Sequence, residues 1–197
     1  MKNKKHIIIG LTGASGSAYA VCALSLLQQE PDVEVHFVAT KAGAMTLRYE
    51  ADLGVDALAD LADHHYAVGD VGAPIASGSF ETIGMLIAPC SVKTMSEIAT
   101  GVTDNLMARA ADVVLKERRR LVLMVRETPF HLGHLRTMTA LTEMGAIVAP
   151  PLPAFYAEPK SVDDLVAQSV RRSLDLFGLR LPGTRRWGVD LKKGARP

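Results

Sequence analysis

Short runs of branched apolar residues alternate along this chain with longer segments of helical periodicity, and no other feature restricts the possible fold as strongly. Apolar runs without polar positions are typical of strands in a buried parallel sheet. We predict strands at residues 6–11, 33–39, 85–88, 121–125 and 146–149, and helices at residues 18–29, 41–49, 93–99, 106–119, 131–144 and 161–177. Strands joined through helices form parallel sheets, so the sequence predicts an α/β fold with helices on both faces of the sheet.

The carboxyl ends of the predicted strands are where a ligand is expected in such a fold. All parallel strands end at the same edge of the sheet, so the segments that follow them come close together. The candidate segments are 12–16, Thr40, 89–94 and 126–129.

Size and composition indicate one domain. The chain has 197 residues, and 48% of them are hydrophobic, which is enough for a sizeable core. Lys and Arg number 22 against 21 Asp and Glu, and this balance gives no argument for nucleic acid or a membrane surface, so neither is predicted as a partner. The two cysteines, Cys22 and Cys90, form no framework pattern and indicate the reducing cytoplasm. No apolar run approaches the ~20 residues of a membrane span. We expect a single domain over 1–197, with a basic C-terminal tail over 179–197 that is an interaction arm or disordered.

A glycine-rich turn at 10–16 follows the first predicted strand and opens the first predicted helix. Small residues let backbone amides approach a phosphate, and a helix N-terminus favours an anion. The turn lacks the Gly-Lys-Ser/Thr of an ATP-binding loop. It also lacks an acidic residue at the distance that a dinucleotide fold needs, so it favours a mononucleotide. The alternative is a tight turn that binds nothing.

A second polar group combines residues 77–79 with residues 89–94, where hydroxyls, backbone amides and the Lys93 ammonium suit a phosphate or the edge of a ring. Taken alone, Ser91 is better explained as a helix N-cap. Cys90 is interpreted as a buried core cysteine rather than a nucleophile.

Charged and aromatic residues form two further candidate sites. Arg126 directly follows a predicted strand, where it can bind phosphate, and Glu127 beside it can move protons. Residues 150–156 form a rigid apolar segment that ends with the phenol of Tyr156, which suits a small hydrophobic substrate. His131 and His134 have a possible metal spacing but no evident third ligand, so no metal site is predicted.

Several motifs occur here in one order: Gly-Ala-Ser-Gly at 13–16, Ser-Gly-Ser-Phe at 77–80, Pro-Cys-Ser-Val-Lys-Thr at 89–94, the charged helix at 109–119, Arg-Glu-Thr-Pro at 126–129 and Pro-Ala-Phe-Tyr at 153–156. With these motifs the chain resembles the UbiX-like flavin prenyltransferases over about residues 5–187. The resemblance implies a Rossmann-like (flavodoxin-like) fold in three layers and a homododecamer. It also implies a metal-independent reaction in which reduced FMN and dimethylallyl monophosphate give prenylated FMN and phosphate. A UbiD-type decarboxylase would receive the product.

The resemblance also implies roles for individual residues. The positions that match FMN contacts are Gly13, Ala14, Ser15, Thr40, Ser91, Val92, Lys93, Thr94 and Arg126. Those that match the binding of dimethylallyl phosphate are Tyr156, Arg172 and Arg109, and those that match polar active-site residues are Ser15, Glu50, Lys116 and Glu127. Without the resemblance, Arg109 and Lys116 would be interpreted as part of a solvated helix face.

Two other functions are compatible with a flavin site. A flavin-dependent cysteine decarboxylase would carry Pro-x-Met-Asn where this chain has Pro-Ala-Phe-Tyr at 153–156. A non-catalytic flavin carrier, or the flavin-carrying component of a hydroxyaryl acid decarboxylase complex, would not need the polar residues Glu50, Lys116, Glu127 and Arg172.

Overall fold

A computed structural model describes residues 4–190 of the chain. Within this range, six strands form one parallel sheet in the order β3-β2-β1-β4-β5-β6. The strands are β1 (Lys5–Leu11), β2 (Val33–Ala39), β3 (His64–Tyr66), β4 (Gly84–Cys90), β5 (Arg120–Val125) and β6 (Ile147–Val148). The helices are α1 (Ala18–Leu27), α2 (Lys41–Ala51), α3 (Val55–Ala59), α4 (Val92–Thr100), α5 (Leu106–Lys116), α6 (Leu132–Glu143) and α7 (Val162–Asp175).

Two hydrophobic clusters, one on each face of the sheet, make the three predicted layers. Ile7 and Ile9 of β1 point to the face covered by α1 and α7, whereas Ile8 points to the face covered by α4 and α5. This alternation follows from the two-residue period of a strand. The prediction of an α/β parallel sheet with helices on both faces is confirmed.

The strand order places a crevice between the two central strands. The chain runs from β1 outward through β2 to β3, then returns to place β4 on the other side of β1. Connections from β1 and β4 therefore leave in opposite directions, which opens a gap at the carboxyl ends of these two strands. The segments 12–16 and 89–94 border this gap.

The strand β3 and the short helix α3 were not predicted. β3 has three residues, two of them exposed histidines, so it lacks the apolar run that indicates a buried strand. It pairs with β2 at the edge of the sheet, from His36 opposite His64 to Val38 opposite Tyr66. An edge strand of this length is formed by its neighbour rather than by its own sequence.

The segment after α7 is folded as far as the structure describes it. Leu179 and Leu181 are buried, and Gln168 of α7 exchanges two hydrogen bonds with the backbone of Arg185, at 2.7 and 3.1 Å. The prediction of disorder from residue 179 is therefore wrong for this part, because two buried leucines anchor a segment whose net charge suggested exposure. The alternative of an interaction arm stays a prediction. Residues 191–197 of the predicted tail lie outside the described residues. No helix between residues 4 and 190 is long and apolar enough to cross a membrane.

Candidate functional site

Thr12 joins the ends of the two central strands. Its buried hydroxyl donates to the carbonyl of Pro89 at 2.7 Å and accepts from the amide of Ser91 at 2.8 Å. These bonds hold the glycine turn after β1 against the segment after β4. Two segments that the sequence suggested separately therefore form one site at the crevice. The sequence analysis placed Thr12 in a candidate segment but gave it no role of its own. A local pattern gives no sign of a partner that is 77 positions away along the chain.

Glu50 of α2 occupies the start of α1. Its carboxylate accepts from the amides of Gly16 at 2.9 Å and Ser17 at 2.8 Å, and from the Ser17 hydroxyl at 2.8 Å. Partial burial raises the pKa of Glu50, but the hydrogen bonds from Ser15, Ser17 and Gly16 outweigh it and bring the pKa below its ordinary value. The anion at this helix N-terminus is thus a side chain of the protein.

The amides of Gly13, Ala14 and Ser15 precede this carboxylate site and have no hydrogen-bond partner within residues 4–190. Gly13 is held close to α2, since a Cβ atom there would lie 2.5 Å from the Cβ of Ala42. An unpaired row of amides at the crevice fits the phosphate or ring edge of a flavin mononucleotide. We therefore place the expected anion contact here rather than at the first amides of α1.

We expect the Glu50→Gln variant to be less stable than the wild type at neutral pH, by about 0.5–1 kcal/mol because the carboxylate is exposed and screened. The lowered pKa of Glu50 means that its contribution is complete above the ordinary carboxyl pKa and is lost as pH falls through the folded value. The difference between variant and wild type should therefore shrink on acidification. Urea unfolding midpoints at neutral pH and below the ordinary carboxyl pKa, about 4.3, measure it.

Glu143→Gln is the matched control for this experiment. Glu143 is exposed at the end of α6, and its carboxylate has no partner among the described residues. Its substitution should change stability by less than about 0.5 kcal/mol at either pH. A Glu50→Gln difference that grew on acidification would contradict the assignment.

Two hydroxyls at the crevice also begin helices. Thr40 caps α2 by accepting from the amide of Gly43 at 3.0 Å, and Ser91 caps α4 by accepting from the amide of Thr94 at 3.3 Å. Both side chains are half-buried at the carboxyl edge, so the capping role places them beside the crevice. Cys90 is fully buried, and burial raises the pKa of its thiol to about 12, as expected for a core cysteine. Lys93 is exposed and pairs with Glu97, one turn further along α4.

Arg126 and Glu127 extend from the end of β5 towards the same crevice. The Arg126 amide donates to the carbonyl of Cys90 at 3.1 Å, and its guanidinium lies near Tyr19 of α1. Burial raises the pKa of Tyr19, and Arg126 opposes that rise. Tyr19, which sequence reasoning missed, also packs against Gly16. The exposed Arg126 therefore places a positive charge beside the glycine turn. Glu127 is half-buried and accepts from the amide of Thr128 at 2.9 Å.

Tyr156 and Arg172 line a cavity of about 280 Å³ beyond β5 and β6. Its other walls are largely apolar and include Met124, Ile147 and Leu176. Arg172 is exposed, and neither its guanidinium nor the Tyr156 hydroxyl has a hydrogen-bond partner within the described chain. The Tyr156 ring is held edge-on by Trp187, with centroids 5.6 Å apart. An apolar cavity with an unpaired cation and a phenol fits a small hydrocarbon that carries a phosphate.

Lys116 lies away from the crevice within one chain, whereas Arg109 is near the other end of the same helix, α5. Because β4 and β5 are parallel, α5 returns from the carboxyl edge of the sheet to the amino edge, and Lys116 is at its last turn. Lys116 pairs with Glu117 over Gly78, while Arg109 donates to the carbonyl of Ala76 at 3.3 Å and to Asp112 at 2.9 Å. The cavity of Tyr156 and Arg172 likewise does not include Ser15 or Arg126. Within one chain, therefore, segments 12–16 and 89–94 meet at the crevice together with Arg126. The cavity of Tyr156 and Arg172 is separate from them, and Lys116 lies at neither place.

Two histidines lie at the start of α6, and one of them caps this helix. His131 caps it, accepting at Nδ1 from the amide of Gly133 at 3.0 Å, and the rings of His131 and His134 lie 3.7 Å apart.

The chain is similar to proteins of known activity over nearly its whole length. The flavoprotein family model matches residues 1–174. The flavin prenyltransferase UbiX of Escherichia coli K12 is 52% identical over 178 residues, which cover 90% of this chain and 94% of that protein. The flavin prenyltransferase UbiX of Neisseria meningitidis is 52% identical over 183 residues, which cover 93% of this chain and 96% of that protein.

Solved structures of UbiX-type proteins are also similar to this chain. AnUbiX (PadA1), in complex with FMN and dimethylallyl pyrophosphate, superposes with a TM-score of 0.91 at 44% identity and covers 93% of this chain and 97% of its own. A dodecameric FMN-dependent UbiX-like decarboxylase from Escherichia coli O157:H7 gives a TM-score of 0.90 at 47% identity, covering 92% of this chain and 98% of its own. The epidermin biosynthesis protein EpiD of Staphylococcus aureus, at 16% identity and a TM-score of 0.56 over 76% of this chain and 85% of its own, shares only the fold.

Proposed function

The chain belongs to the UbiX-like flavin prenyltransferase family, and from that premise we propose that it transfers a dimethylallyl group from dimethylallyl monophosphate to reduced FMN. The products are prenylated FMN and phosphate. The observation that carries this proposal is the apolar cavity where Arg172 and Tyr156 have no hydrogen-bond partner within the described chain. A phosphate bound by these two groups would place its hydrocarbon against the apolar walls.

In this proposal some side chains bind the two substrates and others transfer protons. Arg172, Tyr156 and Lys116 offset the negative charge that grows on the leaving phosphate. The amides of 13–15 and the Arg126 guanidinium bind and orient the flavin, which brings the reacting atoms together. Glu127 and Ser15 move protons while the new ring closes. Reduced FMN supplies the nucleophilic N5 and C6 positions. No step requires a metal.

The position of Lys116 supports an assembled active site. Within one chain it lies at the amino edge of the sheet, so it can reach a flavin only at the crevice of a neighbouring copy. A homododecamer, as described for the similar Escherichia coli O157:H7 protein, would provide such a neighbour. Activity and assembly are then linked.

We propose that a UbiD-type decarboxylase receives the prenylated product. We also propose a cytoplasmic location, which is in keeping with the free cysteines Cys22 and Cys90. A cysteine decarboxylase is less well supported, since the likeness to EpiD is one of fold alone and the chain has Phe155-Tyr156 in place of Met-Asn.

The direct test is the mass of the flavin. The protein is incubated with reduced FMN and dimethylallyl monophosphate without oxygen, with and without a metal chelator. The flavin should gain the mass of one dimethylallyl unit in both samples. A protein that retained FMN without changing its mass would be a carrier, and the proposal would be wrong.

Glu127→Gln should slow product formation by about 10²-fold, because the amide cannot take up a proton while its size is unchanged. FMN retention should stay the same, which distinguishes a lost proton transfer from a lost binding site. Unchanged product formation would remove Glu127 from the proton role.

Two impaired variants, Lys116→Ala and Arg126→Ala, should restore activity to each other when co-expressed. If Lys116 acts at the crevice of a neighbouring copy, some sites in a mixed assembly contain both intact residues. Random mixing at equal amounts gives about a quarter of the wild-type sites. The measurement is product formation by assemblies purified through two different tags. Mixtures no more active than the single variants would place both residues in a site made by one chain.

A further inference from the structure

Three histidines and a glutamate cluster on the sheet at the end opposite the proposed flavin site. His6 is the second residue of β1, Glu34 and His36 belong to β2, and His64 begins β3. The parallel register places His6 opposite Glu34 and His36 opposite His64. The crevice follows Leu11, which is five residues, or about 17 Å, further along β1 than His6. The proposed reaction makes no use of this cluster.

Three polar atoms of the cluster converge on one point. The Nδ1 atom of His6 lies 3.1 Å from Nε2 of His36 and 3.4 Å from Oε1 of Glu34, and the last two atoms lie 3.7 Å apart. A tetrahedral zinc ion with bonds of about 2.0–2.1 Å separates its ligand atoms by about 3.3–3.4 Å. The three distances scatter around that value. Two imidazoles and a carboxylate are also ligands that zinc commonly takes.

The surrounding residues orient these three ligands. The Tyr66 hydroxyl lies 2.9 Å from Nδ1 of His36, so that Nε2 of the same ring faces the point of convergence. The Nε2 atom of His64 lies 2.9 Å from Oε1 of Glu34 and holds this carboxylate in place. Such outer contacts are the usual support of metal-binding histidines and carboxylates.

The site is shielded on one side and open on another. The His36 side chain is 3% exposed, and the Phe80 ring packs edge-on against both His36 and His6, at centroid distances of 4.8 and 5.2 Å. Burial, together with the neighbouring His64 and His6, lowers the pKa of His36 to about 4, so this imidazole is neutral at neutral pH. His6 also lines a surface groove with Thr82 and Glu81, which gives an ion a path of entry.

We propose that His6, Glu34 and His36 bind a zinc ion that ties β1 to β2 at the amino end of the sheet. The role is structural, because the ion lies at the opposite end of the sheet from the crevice of its own chain and the proposed reaction uses none of its ligands. Zinc should therefore raise the stability of the assembled protein without changing the rate of prenyl transfer.

The test uses the full chain, freed of metal with a chelator and then titrated with Zn²⁺ or Co²⁺ alone. One zinc ion should bind per chain, and the thermal midpoint should rise as the concentration of free zinc rises above the dissociation constant. Cobalt should develop the visible absorption of a four-coordinate ion with nitrogen and oxygen ligands. His6→Ala and Glu34→Gln should each weaken binding by at least about 100-fold, and His64→Ala by about tenfold.

Two controls locate the ion. His65→Ala removes a neighbouring histidine whose ring packs on Phe37 at the other face of the sheet, and His131→Asn keeps a helix cap while removing the other histidine pair. Both variants should bind zinc as the wild type does. A wild-type protein without a thermal shift or a cobalt spectrum would overturn the proposal, as would binding that survives both His6→Ala and Glu34→Gln. Prenyl transfer that required the bound zinc would overturn the structural role. FMN retention by each variant verifies that it is folded.

Discussion

Arg172→Leu should lower kcat/KM for dimethylallyl monophosphate by about 10³-fold while FMN retention stays unchanged. The guanidinium shares an apolar cavity with Tyr156 and has no other partner among the described residues. Its removal therefore costs the folded protein no hydrogen bond or ion pair, but it leaves the growing charge of the phosphate without its cation. Steady-state product formation at varied dimethylallyl monophosphate, together with the flavin absorbance of the purified protein, measures both quantities.

Two further variants sharpen this prediction. Arg172→Lys keeps the charge but loses the planar pair of donors, so it should recover part of the activity and remain at least about tenfold below the wild type. Arg180→Leu removes another exposed arginine that has no side-chain partner within the described chain and lies outside the cavity. It should be as active as the wild type. Equal losses in Arg172→Leu and Arg180→Leu would point to general surface charge instead of a phosphate site.

Gly84→Ala should destabilise the protein by about 3 kcal/mol or more, the largest stability effect that we expect from a single methyl group. Gly84 begins β4 with a φ of +139°, which residues with a side chain rarely adopt. A Cβ atom there would lie 2.1 Å from the carbonyl oxygen of Arg120 and 2.8 Å from the ring of Phe177. Arg120 is the partner of Gly84 in β5, so only a shift of the central sheet could relieve the first overlap.

The control for Gly84→Ala is Gly54→Ala. Gly54 precedes α3 with a φ of −83°, and a Cβ atom there would meet nothing within 4 Å. Its replacement should cost less than about 1 kcal/mol. Thermal and urea midpoints at one fixed protein concentration compare the two variants, since an assembled protein unfolds at a concentration-dependent midpoint. Equal stability of both variants would show that the sheet yields to the new methyl group.

The described structure explains which sequence predictions held. The four longer strands were predicted because each is a continuous apolar run that must be buried, whatever lies beside it. β3 has no such run and depends on pairing with β2. The stretch at 179–190 has a net basic charge, yet two buried leucines anchor it beside α7. In the stretch at 179–190, burial of two apolar side chains decided the structure, although the average composition suggested exposure.

The sequence by itself determined the α/β class, the edge of the sheet where a ligand is expected and, through its motifs, the family. These depend on local patterns, since an apolar run or a glycine turn specifies its own conformation. Only the tertiary structure decided that Thr12 bridges to Pro89 and Ser91, and that Glu50 occupies the start of α1. It also decided that Lys116 lies at the edge of the sheet opposite the crevice of its own chain. Such contacts join residues that lie far apart along the chain, and their geometry is set by sheet order and register, which no local pattern encodes.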